Sequence, residues 1–209
     1  MEYNEIETIK SLSELYGEPM DLVIKKVKSS LDEYTIQYLA LSPFSVISTS
    51  SIDCNMDCSP RGDYPGFIQV FDKNTIAIPD RPGNNRLDSL KNIIVNPNIG
   101  ILVLVPGFSE CLRINGTAKI ITDQEVLERF EYKGKLSKSV IIVSVKEVYF
   151  HCAKAITRSK IWDQEFNVNR NLMPSFGKIL MDQIDPLKTE QEVKEVEELI
   201  EKRVKTTLY

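Results

Sequence analysis

The chain has 209 residues, 42% of them hydrophobic and 27% charged, an ordinary globular composition with room for one substantial core. Its formal net charge of −4 supplies no field that would draw it to nucleic acid or an anionic membrane, so any basic site must be local. No apolar run approaches the roughly 20 residues that span a bilayer, and a single histidine excludes multi-histidine zinc sites.

The opening MEYNEIETIKSL is acidic and lacks the basic stretch and apolar core of a signal peptide. A cytoplasmic location is therefore expected, with Cys54, Cys58, Cys111 and Cys152 as reduced thiols. Ile6, Ile9, Leu12 and Leu15 form a helical stripe that ends near Gly17. Pro19 suits the first turn of a second helix carrying Val23 and Val27. Asp32 caps a third, which Ser42-Pro43 stops, so residues 1–41 read as packed helices.

The texture then becomes β. Phe44–Ser50, Gly66–Phe71 and Thr75–Pro79 read as strands, the last two joined by the turn Asp72-Lys73-Asn74. A helix starts at about Asn85 with Leu87, Leu90, Ile93 and Ile94 on its apolar face, and Asn96-Pro97 ends it. Ile99–Val105, Cys111–Ile121 and Ser139–Phe150 complete the strands, with a short helix at 123–130 before the last. Strands with few long crossovers favour a small antiparallel barrel over a doubly wound sheet. The apolar runs Ile99–Val105 and Val140–Val145 predict strands buried on both faces. Val193, Val196, Leu199, Ile200 and Val204 form a narrow stripe on a charged final helix, expected to pack along one edge of the domain.

The chemistry concentrates between Cys58 and Arg86. Ser59-Pro60-Arg61-Gly62-Asp63 precedes the hairpin and Asp80-Arg81-Pro82-Gly83-Asn84-Asn85-Arg86 follows it, so both clusters belong at one end of the fold. Arginine's planar fork suits phosphate, glycine admits close backbone approach, and Arg86 is placed where a helix N-terminus would favour an anion. Two readings stay open: an anion cradle, or polar turns whose arginines pair with Asp63, Asp80 and Asp88. A second constellation follows the last strand. Lys154 and Arg158 are spaced to share a helix face, and Trp162 lies one turn on, placed either to stack on a planar ring or to be buried in the core. His151 has no carboxylate or nucleophile fixed beside it, which favours a structural role. Cys54 and Cys58 lack two further ligands for a metal site, and none is expected. Gly-X-Gly-X-X-Gly and Walker A sequences are absent.

The stretches SPFSVIST, SPRGDYPGF, IPDRPGNNRLDSLKNIIVNPNIGILVLVPG, LRINGTAKI and HCAKAITRSKIWD together resemble the pyridoxamine 5′-phosphate oxidase-like superfamily of FMN-binding split β-barrels, and more closely a subfamily of FMN-dependent enzymes within it. The resemblance implies an α+β fold of mainly β core, a six-stranded antiparallel split barrel with flanking N- and C-terminal helices. It implies one domain, with helices over residues 1–41, the barrel over 42–152 and a helical segment over 153–209. It further implies a homodimer with FMN at the subunit interface and a small-molecule substrate. Carried over by motif, Arg61, Asn84, Asn85 and Arg86, with Arg81 beside them, become candidates for the FMN phosphate. Lys154, Arg158 and Trp162 would approach flavin or substrate, and Ser48, Thr49 and Ser50 would touch the ring. The classical oxidase's arginine- and histidine-bearing C-terminal segment has no convincing match in the tail ending VKTTLY, which puts pyridoxamine phosphate in doubt as the substrate. The expected activity is an FMN-dependent oxidoreductase. The alternatives are a non-catalytic flavin store or a barrel for haem or deazaflavin F420.

Overall fold

The computed structural model describes residues 3–185, 187 and 189–209. In chain order the elements are α1 (Ile9–Tyr16), α2 (Asp21–Lys25), α3 (Glu33–Leu41), β1 (Phe44–Ser50), β2 (Met56–Gly62), β3 (Gln69–Asp72), β4 (Thr75–Asp80) and α4 (Asp88–Val95). Then follow β5 (Asn98–Leu104), β6 (Cys111–Ile121), α5 (Gln124–Glu128), β7 (Ser139–His151), α6 (Lys154–Ser159), α7 (Phe176–Ile184) and α8 (Glu190–Thr206). The fold is α+β, as expected, but its strands form one open antiparallel sheet of seven, ordered β2-β1-β5-β6-β7-β4-β3, rather than six.

The strand beyond the expected six is β2. Its sequence, MDCSPRG, carries turn residues and little apolar alternation, and reads as a loop. It is nevertheless an edge strand, where proline and glycine are tolerated, and it pairs with β1 from Phe44↔Gly62 to Ser50↔Met56. The sheet curls until β2, at one edge, faces β4 near the other. Arg61 on β2 reaches Asp80 on β4 at 2.7 Å across that gap.

The main core fills the inside of the curl, with Ile47, Ile76, Ile78, Val103, Leu112, Ile114, Ile141 and Val143 fully buried. A smaller cluster of Ala77, Val140, Ile142, Leu127 and Phe130 lies on the outer face of β4 and β7. Val140–Val143 are thus buried on both faces, as the unbroken apolar run predicts. The run in β5 is not. There Ile99, Ile101 and Val103 point inward while Gly100, Leu102 and Leu104 stay half-exposed, because no element of the described chain covers that face. A register shift falls between Asn115 and Gly116 where β6 meets β7, and a Cβ on Gly116 would run into the Ser144 carbonyl oxygen. Only glycine fits there.

Among the three N-terminal helices only α3 enters the core, through Thr35, Tyr38 and Leu39, with a reciprocal Asp32–Thr35 capping box at its start. The stripe on α1 and the apolar residues of α2 are exposed and bury nothing, contrary to the packing expected of residues 1–41. The final helix also differs from expectation. It packs on α7, a helix that the sequence reading passed over, rather than along an edge of the sheet. No described helix is long and apolar enough to cross a membrane.

Candidate active site

A pocket of about 750 Å³ opens where β2, β4 and the loop 81–87 meet. Curling of the sheet brings the C-terminal halves of β2 and β4 together, so Arg61 and Asp63 face Asp80 and Arg81. Arg61, Arg81, Asn84, Asn85 and Arg86 all line this one cavity, as the two clusters flanking the hairpin predict. The loop that carries the last three turns through left-handed backbone at Asn85 (φ 60°) and Leu87 (φ 62°). That turn delays the helix. It begins at Asp88, so Arg86 precedes it instead of sitting in its first turn.

The arginines pair crosswise. Arg61 Nη1 donates to Asp80 Oδ1 at 2.7 Å, and Arg81 Nε to Asp63 Oδ2 at 2.6 Å. Both pairs are largely shielded, the Asp63 side chain being 1% exposed and that of Arg81 11%. Arg86 pairs with Asp88 out in solvent, its side chain 78% exposed. The ion-pair reading of the sequence is therefore correct in full, yet it does not displace the anion reading. A guanidinium has five N–H donors, and each shielded pair uses one nitrogen. Four buried side-chain polar atoms lack a partner among the described residues, and two of them are Arg61 Nε and Arg81 Nη2. Orphaned cationic donors of this kind are costly unless a ligand or solvent satisfies them.

Three further residues complete the pocket without any signal in the motifs. Lys138 lines it from just before β7, and no ion pair engages it among the described residues. Ser89 on α4 donates to Asp57 Oδ2 at 2.5 Å, tying the helix to the edge strand. Lys138 belongs to no recognisable pattern, and only the β4–β7 pairing, Asp80↔Ser139, carries it to the pocket.

The remaining predicted residues lie elsewhere. Ser48, Thr49 and Ser50 line a second, more open cleft of about 870 Å³ over β1, β5 and β6. Thr49 Oγ1 accepts from Asn92 Nδ2 at 3.1 Å and Ser50 Oγ from Asn96 Nδ2 at 2.8 Å, so both also anchor α4. Lys154 and Arg158 share α6 as their spacing predicts, Arg158 Nε donating to the Lys154 carbonyl at 3.1 Å. Trp162 Nε1 donates to the Phe108 carbonyl at 2.8 Å. None of these three lines either cavity within the one chain. His151 stands opposite Cys111 in the β6–β7 ladder. All four cysteines are free, and no group of three or more His, Cys, Asp or Glu among the described residues is arranged to hold a metal ion.

Comparison with known proteins places this geometry in context. No curated protein sequence matches the chain. Among solved structures, HupZ of Group A Streptococcus is similar at 16% identity and a TM-score of 0.47, over 57% of this chain and 93% of that one. General stress protein 26 of Bacillus anthracis is similar at 14% and 0.42, over 55% and 89%. A Clostridium acetobutylicum protein related to general stress protein 26, of the pyridoxinephosphate oxidase family, is similar at 12% and 0.43, over 58% and 90%. Residues 32–152, running from the cap of α3 to the end of β7, match the family model for pyridoxamine 5′-phosphate oxidase. That span holds the whole sheet and the arginine-lined pocket, and the chain belongs to the pyridoxamine 5′-phosphate oxidase family.

Proposed function

We propose that the chain is a cytoplasmic FMN-binding oxidoreductase that holds the FMN phosphate in the Arg61–Arg81–Arg86 pocket and acts on a small molecule. The observation that carries this reading is a cavity of ligand size lined by Arg61 and Arg81, each of which keeps one buried guanidinium nitrogen, Nε and Nη2 respectively, without a partner among the described residues. A phosphate oxygen is the acceptor that such a pair lacks. Asn84 and Asn85 add exposed amide donors, Arg86 and Lys138 add exposed positive charge at the rim, and Asp63 and Asp80 keep the two inner arginines oriented. When bound, FMN would supply the electron-transfer chemistry, and the chain would supply position and electrostatics. No protein nucleophile is needed, which fits a site without a triad.

A homodimer completes this reading. The uncovered face of β5, with Gly100 and Leu102 half-exposed, is continuous with the cleft lined by Ser48 and Asn115. A second copy seated there would bring Lys154, Arg158 and Trp162 of the partner toward a flavin that its own chain cannot reach. The test is flavin fluorescence during titration of the purified protein. FMN should bind at micromolar concentration or tighter, and at least tenfold more tightly than riboflavin, because each charge-assisted hydrogen bond to phosphate contributes about 1.5–3 kcal/mol. Absence of FMN binding, or a haem spectrum in freshly purified protein, overturns it. Anaerobic NADH or NADPH then separates enzyme from store: bleaching of bound flavin supports turnover, and persistent colour with every reductant supports storage.

A further inference from the structure

We infer that Tyr209 is a positioning residue for the anion pocket, locking Asp63 and through it Arg81, and tying the last two helices to the pocket wall. The inference deepens the FMN proposal and rests on it for its ligand. Tyr209 lies 146 residues from Asp63 in sequence, yet its Oη donates to Asp63 Oδ1 at 2.9 Å. The same oxygen accepts from the Tyr64 amide at 2.9 Å, and the other carboxylate oxygen takes Arg81 Nε at 2.6 Å. Three donors thus converge on a carboxylate that is 1% exposed. One of the three comes from the far end of the chain.

The ring does a second job. The Arg81 guanidinium lies 5.6 Å from the Tyr209 ring centroid, so Tyr209 holds the arginine through its π face and through its hydrogen bond to the arginine's counter-ion. The ring itself is held by Tyr132, at a centroid distance of 4.7 Å, and Tyr132 stacks on Tyr64 at 4.7 Å and 19°. Lys133 approaches both rings, at 5.2 Å from Tyr132 and 5.6 Å from Tyr209. Burial, and then the bond to Asp63, push the Tyr209 phenol up from its ordinary value, so it stays a donor at neutral pH.

The lock matters because Arg81 must do two things. It must stay paired with a buried carboxylate, and it must hold its guanidinium, whose Nη2 has no partner among the described residues, fixed in the wall of the pocket. Asp63 fixes one nitrogen, and the Tyr209 ring restricts rotation of the guanidinium plane. Without Tyr209 the pair opens to water on that side and the fork loses its fixed aim. The consequence falls on ligands that use the phosphate and spares those that do not.

Two variants and two readouts test this. Tyr209→Phe keeps the ring and loses the donor to Asp63; Tyr209→Ala loses both. FMN affinity, followed by flavin fluorescence, should fall tenfold or more in Tyr209→Ala and by a smaller factor in Tyr209→Phe, with riboflavin affinity changed less than twofold. Equal losses for FMN and riboflavin would reduce Tyr209 to a general structural contact, and an unchanged FMN affinity would remove it from the site. The second readout needs no flavin. In protein labelled with 15N-arginine, the Arg81 Nε–H signal, assigned by its disappearance in Arg81→Lys, should exchange with water several-fold faster in Tyr209→Ala. Unchanged exchange overturns the lock. If the unmodified protein binds no FMN while exchange accelerates as stated, the FMN proposal fails and the lock stands.

Discussion

Replacing Asp63 by asparagine is the sharpest test of how the pocket is built. The substitution keeps side-chain volume and an acceptor for the Tyr209 hydroxyl and the Tyr64 amide, and replaces the carboxylate oxygen facing Arg81 Nε by an NH2 group that carries neither the charge nor the acceptor. The Arg81 guanidinium, 11% exposed, is then left without its counter-ion. Breaking a buried pair from one side costs about 3–5 kcal/mol, because the surviving charge stays desolvated. A loss of that size takes a large share of the roughly 5–15 kcal/mol that holds a domain together. At about 2–4 °C per kcal/mol for a chain of this length, it lowers Tm by roughly 6–20 °C. Asp80→Asn should fall at the low end of the same range, since Asp80 and Arg61 are 14% and 18% exposed. Asp88→Asn should cost no more than about 1 kcal/mol, because its partner Arg86 is 78% exposed and screened by water. Urea unfolding followed by fluorescence and circular dichroism measures all three on one scale. If Asp63→Asn and Asp88→Asn agree within about 0.5 kcal/mol, the inner pairs are no more shielded than the outer one and the reasoning fails.

Arg86→Ala should weaken the proposed FMN binding by about 1–3 kcal/mol, roughly five- to 150-fold, while leaving the urea midpoint nearly unchanged; the same affinity in both proteins would confine Arg86 to its pair with Asp88. Gly116→Ala should destabilise the protein by more than about 3 kcal/mol or prevent its folding, because the new Cβ meets the Ser144 carbonyl where β6 and β7 change register; a normal melting curve would show that the ladder yields easily. Burial pushes the phenol of Tyr38, 4% exposed, up to about 12. The folded state therefore holds this proton more tightly than the unfolded chain. Its stabilisation is complete below pH of about 10 and is lost as pH rises through 12, a change of roughly 2–3 kcal/mol. Tyr38→Phe should flatten that part of the stability–pH curve and cost about 1 kcal/mol at neutral pH, where the Glu110 carbonyl loses its 2.8 Å donor. An unchanged alkaline slope in the variant would assign the loss to other groups.

Most of the sheet was legible because its strands announce themselves. Phe44–Ser50, Thr75–Pro79, Cys111–Ile121 and Ser139–Phe150 carry long apolar patterns, and all are found within a residue or two of the expected limits. β2 was not legible, because its backbone is recruited by β1 and its own side chains argue for a turn. The common pocket of Arg61, Arg81, Asn84, Asn85 and Arg86 was legible from the hairpin, which returns the chain to its starting end, although it is the curl of the sheet that closes β2 on β4. Partner choice did not follow. Local sequence offers Asp63 to Arg61 and Asp80 to Arg81, whereas the curl of the sheet exchanges them. Lys138 and Tyr209 enter the site only through long-range contacts, which no local motif records. Lys154 and Arg158 share α6 as their spacing predicts, but the helix stops at Ser159 so that Trp162 lies beyond it, and none of the three lines the cradle.

The charge arrangement also bears on the proposal that a chain of net charge −4 holds a phosphate in this pocket. Four cations line the pocket, Arg61, Arg81, Arg86 and Lys138, and four carboxylates line it with them, Asp57, Asp63, Asp80 and Asp88. The formal charges cancel, so the pocket cannot draw an anion from a distance as an uncompensated basic groove does. What it offers acts at short range: donors already stripped of water and fixed in direction by the carboxylates behind them. Bare arginines at the same depth would carry an unrelieved desolvation cost and would fold away or drag water in. The aspartates remove that cost without using up the forks, since each inner pair occupies one nitrogen of its guanidinium. In the proposed function, ion pairing and anion binding would be successive uses of the same side chains, the first being the condition for the second.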